Sequence, residues 1–130
     1  SPEDFVISTG RTETVRSFIE ITAKYLGWDN KGKCKPIIWE GEGEFEFGRR
    51  GDNNEIVVKV DPRYFRPTEV DLLLGDSTKA LNKLGWSPKI TLEEMIKEMV
   101  EKDQEDALKE FLLKKEGFNI NSSIESPPTK

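Results

Sequence analysis

The stretch KPIIWEGEGEFEFGRRGDNNEIVVKV, Lys35 to Val60, decides the fold class, because the sequence changes its period there. Before it the chain reads as a helix; within it β-branched and aromatic residues take over. Ile37, Ile38 and Trp39 form one run and Ile56, Val57, Val58 and Val60 a second, a composition suited to a pleated, half-buried surface. Two strands are expected, flanking a polar, glycine-bearing loop from about Gly41 to Asn54. The loop alternates Glu with Phe at Glu44-Phe45-Glu46-Phe47, a pattern able to carry a hairpin arm. Its Arg49-Arg50 doublet reads as part of a solvated turn rather than a phosphate contact.

Upstream, DFVISTGRTETVRSFIEITAKYLGW opens with a short strand, Phe5-Val6-Ile7, followed by a Ser-Thr-Gly turn. Val15, Phe18, Ile19, Thr22 and Leu26 then fall on one helical face, with Thr12 or Thr14 placed to cap it and Gly27 to end it. Downstream, Leu72 to Leu74 predict a brief buried strand and Asp76 an N-cap. Ala80, Leu81 and Leu84 give one face of a short helix that Gly85 closes in a left-handed cap. Thr91 and Glu94 form a capping box ahead of Leu92, Met95, Ile96, Met99 and Val100, and Leu108, Phe111 and Leu112 resume the spacing. That predicts the longest helix. Residues 118–130 have neither period nor core residues and are expected to be a mobile tail after a single domain at 1–117. Short strands plus three segregated helices make the fold α+β rather than a doubly wound alternating sheet.

A chain of 130 residues has the length to bury a core. Its net charge is −5 and its basic residues are scattered, which points away from nucleic acid. No apolar run approaches the ~20 residues needed to cross a bilayer, and no basic-then-apolar leader opens the sequence, so no membrane partner and a cytoplasmic location are expected. One cysteine, Cys34, excludes an internal disulfide, and the absence of histidine argues against histidine triads and against metal catalysis by this chain alone.

VDPRYFRPTEV, Val60 to Val70, carries the chemistry: two arginines, two aromatics and two prolines in a short bend. Pro62 and Pro67 fix their own φ and drive Asp61 and Arg66, the residues before them, toward extended conformations. The guanidinium of Arg66 offers a fork that matches two phosphate oxygens, and Glu69 can accept hydrogen bonds from neighbouring hydroxyls. The spacing alone leaves open that Arg66 and Glu69 form only a local ion pair.

The run VDPRYFRPTEVDLLLGDSTKALNKLGW, with DFVISTG and TVRSFIE before it and SPKITLEEMIKEMV after it, resembles the C-terminal part of the GDP-mannose 4,6-dehydratase family of extended short-chain dehydrogenases/reductases, from about Pro2 to about Gly117. DPRYFRPTEVDLLLGD is the specific portion; KALNKLGWSPK resembles nucleotide-sugar dehydratases and epimerases more widely. The resemblance implies a small substrate-binding domain in which Arg66 contacts the diphosphate of GDP-mannose and Glu69 its ribose. Arg63 and Tyr64 are expected to pack or lie at the surface. It further implies NADP, bound by an N-terminal Rossmann domain absent from this chain, conversion of GDP-mannose to GDP-4-keto-6-deoxymannose, and a homo-oligomeric parent enzyme. No catalytic residue is expected here, since the Tyr-x-x-x-Lys pair and the glycine fingerprint are missing. A related epimerase or reductase, or a non-enzymatic α+β binding module, are the alternatives.

Overall fold

A computed structural model describes residues 2–66 and 73–118. Among these residues, three helices and one three-stranded antiparallel sheet confirm the α+β class. Helix α1 (Val15–Tyr25) is followed by β1 (Ile37–Glu40), β2 (Phe47–Arg50), β3 (Ile56–Lys59), α2 (Thr78–Leu84) and α3 (Leu92–Lys115). No helix among the described residues is long and apolar enough to cross a membrane.

The sheet departs from the two-strand expectation, because the predicted loop contains β2. A 3-10 turn at Gly43–Phe45 reverses the chain so that Trp39 stands opposite Gly48 and Ile37 opposite Arg50. Between β2 and β3 the register slips at Gly48/Arg49, leaving Val57 as an extra residue. The alternating Glu and Phe signal the hairpin arm, but the turn residues set where it folds. A Cβ on Gly48 would lie 3.0 Å from Ile37 and 3.1 Å from the Trp39 ring, so only glycine lets that indole lie flat across the strand.

Helix α1 starts where expected. The Thr14 hydroxyl accepts from the Ser17 N–H, and past the end Gly27 takes positive φ while the Trp28 N–H reaches the Ala23 carbonyl at 3.0 Å. The helix packs against β1 on one side and α3 on the other. Trp39 ties it to the sheet: its indole N–H donates to Glu20 at 2.7 Å, Arg16 covers its ring at 4.8 Å, and Arg16 pairs with Glu46. Helix α3 carries the capping box in full, Glu94 N–H to Thr91 Oγ1 and Thr91 N–H to Glu94 Oε2. At α2 the cap sits one residue later than predicted, at Ser77, yet the carboxylate of Asp76 still accepts from the Thr78 N–H at 2.9 Å. Gly85 closes α2 with positive φ.

Two predicted strands are not seen among the described residues. Residues 5–7 pair with no strand among the described residues, and Val6 and Ile7 are more than half exposed. Leu72 lies outside the described residues; Leu73 and Leu74 are exposed rather than buried. The two segments nevertheless run close together. Thr12 Oγ1 donates to the Leu73 carbonyl at 2.9 Å, and a Cβ on Gly75 would stand 2.6 Å from Ser8 Cβ. Beside them the Ser8 hydroxyl is buried without a partner. A strand needs a neighbouring ladder, and apolar residues alone do not supply one.

Among the described residues the buried hydrophobic side chains are Ala23, Ile37, Ala80, Ile96 and Val100. They lie where α1 meets β1 and α3, with Ala80 on α2. Leu81 and Leu84, predicted on the same face as Ala80, are half exposed, and so are Met95 and Met99. The expected mobile tail, apart from Phe118, lies outside the described residues.

Candidate functional site

The bend after β3 is built from its own sequence. Val60 extends the sheet by one bond, its N–H donating to the Glu46 carbonyl at 3.1 Å. Asp61-Pro62-Arg63-Tyr64 then forms a turn closed by the Tyr64 N–H on the Asp61 carbonyl at 3.0 Å, with Asp first and Pro second as such turns prefer. The Asp61 carboxylate accepts from the Arg63 N–H at 3.0 Å and from the Arg63 guanidinium Nε at 3.0 Å. That guanidinium, followed by the backbone N–H, pulls the Asp61 carboxyl down to about 2. Arg63 also lies over the Tyr64 ring at 5.9 Å. Arg63 and Tyr64 therefore brace the surface of the bend, within the packing or surface roles expected of them.

Past the turn, the tip of the Phe65 ring lies 3.7 Å from where a Gly43 Cβ would stand, pinning the bend back onto the 3-10 turn. Arg66 follows, exposed. Glu69 lies outside the described residues, as does Pro67. The structure thus places the base on which Arg66 stands.

A cleft of about 600 Å3 opens between the 9–13 segment and the start of α3, floored by Pro88, Ile90, Leu92 and Met95. Arg11 guards it: its guanidinium reaches Glu13 at 2.7 Å and Glu93, across the cleft, at 3.2 Å. Glu13 and then Glu93 hold the Arg11 guanidinium above its ordinary range, and Arg11 followed by Ser17 lowers the Glu13 carboxyl. A second, shallower hollow of about 700 Å3 follows Leu84–Ile90. Arg66 lines neither.

The Arg49-Arg50 doublet lies on β2 and not in a solvated turn. Arg49 Nε donates to Glu40 at 3.0 Å, and Arg50 grips Asp52 at 2.7 Å while stacking on Trp28 at 4.5 Å. Both guanidiniums are committed to structure. Sequence spacing missed the Arg11–Glu93 link because 82 residues separate its partners; no local pattern encodes it.

The segment ending at Thr9 is followed by a single glycine, Gly10, where a dinucleotide-binding turn needs three. Among the described residues no group of three or more Cys, Asp or Glu side chains converges to hold a metal ion.

Residues 1–99 match the family model described as GDP-mannose 4,6 dehydratase. A GDP-mannose 4,6-dehydratase of Yersinia enterocolitica is 46% identical over 129 residues, 96% of this chain and 34% of that protein. One from Vibrio cholerae is 44% identical over 133 residues, covering 95% of this chain and 34% of its own. The human GDP-mannose 4,6 dehydratase is 46% identical over 104 residues, 80% of this chain and 26% of its own. The chain spans about a third of the length of the bacterial relatives it matches. On this similarity the chain belongs to the GDP-mannose 4,6-dehydratase family.

Proposed function

We propose that this chain is the substrate-binding portion of a GDP-mannose 4,6-dehydratase, an NADP-dependent lyase of the extended short-chain dehydrogenase/reductase type that converts GDP-mannose to GDP-4-keto-6-deoxymannose. The observation that carries the reading is the family match across residues 1–99, which includes the braced Asp61–Tyr64 turn leading into Arg66. In this reading Arg66 forks onto the diphosphate and Glu69 accepts from the ribose hydroxyls. Each charge-assisted contact is worth about 1.5–3 kcal/mol.

The turn matters because it is ordered by internal bonds. Asp61 holds Arg63, so that guanidinium is committed to bracing the turn that leads into Arg66. A preformed bend lowers the ordering cost of binding. In this reading NADP and the redox and dehydration steps belong to polypeptide outside this chain, and what these residues do is hold and orient the nucleotide. The same reading gives a cytoplasmic, homo-oligomeric enzyme in which this portion, alone, turns nothing over.

The test uses the protein extended to the length of its relatives, supplied with NADP and with GDP-mannose, UDP-glucose or dTDP-glucose in turn. Formation of the 4-keto-6-deoxy product from GDP-mannose alone is expected. Turnover of a uridine or thymidine sugar instead, or epimerised GDP-mannose as the product, would overturn the reading in favour of a related epimerase or reductase.

A further inference from the structure

Helix α3 has two unlike halves. Ile96 and Val100 bury its first apolar stripe, and beyond them Gln104, Ala107, Leu108 and Phe111 continue from Val100 at the i+4, i+7, i+8 and i+11 spacing of the same face. Yet residues 101–109 are all exposed, as are 111–118, with Leu108 and Phe111 about 60% accessible. A stripe that continues past the body it packs on calls for another surface.

The charges on this segment select the occupant. Residues 101–106 carry four carboxylates (Glu101, Asp103, Glu105, Asp106) against one ammonium, Lys102; residues 107–115 carry three ammoniums (Lys109, Lys114, Lys115) against one carboxylate, Glu110. The acidic half and the basic half are complementary to each other. Two such helices side by side in parallel would set like charge against like; antiparallel, each end meets its opposite. A two-fold axis near Leu108 places residue 101 of one helix beside residue 115 of the other and the Leu108 side chains against each other.

The segment also lies beyond the part matched by the family model, which stops at residue 99, while the Yersinia match extends over 129 residues and the human match over 104. We propose that the distal half of α3, residues 101–115, is a self-association surface that pairs antiparallel with the same segment of a second copy of this chain. The sixteen residues from Val100 to Lys115 span about 24 Å, so the contact belongs with the small, weak interfaces below about 1,200 Å2 and is sensitive to salt.

Sedimentation velocity at low salt tests it with two variants of the chain, Glu101→Lys with Asp103→Lys, and Lys114→Glu with Lys115→Glu. All four positions are exposed, and circular dichroism checks that each variant keeps its helix. Each variant alone is expected to self-associate at least ten-fold more weakly than the parent, and their equimolar mixture to recover association. Variants that associate like the parent, or a mixture no tighter than its components, would overturn the proposal. Orientation is read in a Cys34→Ser background: Leu108→Cys should cross-link to itself under oxidation and Glu101→Cys should not. Efficient Glu101→Cys self-cross-linking would exclude the antiparallel arrangement.

Discussion

One half of this molecule satisfies itself and the other does not. Around α1 the sheet, Trp39, Glu20, Arg16 and the start of α3 interlock, and each polar group drawn inward has a partner. On the far side, Val6, Ile7, Leu73, Leu74, Leu81 and Leu84 are apolar by sequence and bare in the structure. The first half teaches that local caps, one helix–sheet contact and one helix–helix contact suffice to bury a small α+β core. The second teaches that apolar composition alone does not secure burial, in a chain that spans about a third of the length of its bacterial relatives.

The comparison breaks most visibly if core and bare positions cost the same. Ile96 is fully buried, so Ile96→Ala should remove about 2–5 kcal/mol of stability, whereas Phe111→Ala, at a site 62% exposed, should change it by less than about 0.5 kcal/mol in the dissociated chain. Urea denaturation of the two variants at low concentration reads both numbers; equal losses would mean that the distal helix is already packed.

A smaller effect sharpens the boundary inside α3. Thr91→Ala deletes one side of the capping box and should cost about 1 kcal/mol, because Thr91 caps the half of the helix that is packed. Denaturation midpoints at constant slope check this, and no change in midpoint would mean that the first turn frays in the folded protein.

The smallest effect concerns acid. Asp61 and Glu94 both have carboxyls lowered in the folded chain, by Arg63 and by the Thr91 backbone N–H first respectively. A lowered folded pKa adds stability that is complete above the unfolded value, near 4, and is lost as the pH falls through the folded one. For Asp61 that window runs from about 4 down to about 2. The stability difference between the parent and Asp61→Asn should thus be present at pH 6 and fade by pH 2. A difference that grows toward low pH would refute the Asp61–Arg63 bond.

Much of this was legible in the sequence, and the division follows distance along the chain. Thr14, Gly27, Thr91 with Glu94, and Gly85 act within a few residues, so their roles read directly. Strand β2 hid in a polar stretch because its inner-facing residues are Gly48 and Arg50, neither of them a strand former by composition. Phe5-Val6-Ile7 and Leu73-Leu74 have the right composition for strands, but pairing depends on a neighbouring ladder, and the described residues place none beside them. The Arg66–Glu69 pair was legible as a motif only. Arg66 stands exposed on a braced bend, Glu69 lies outside the described residues, and neither cleft is lined by Arg66.

Calorimetric titration of GDP-mannose into the protein at its relatives' full length, with and without Arg66→Ala, tests the central claim most directly. Loss of one charge-assisted phosphate contact should weaken GDP-mannose binding ten-fold or more, about 1.4 kcal/mol, and leave NADP binding unchanged. An unchanged GDP-mannose affinity would remove Arg66 from the site, and with it the proposed role of the bend.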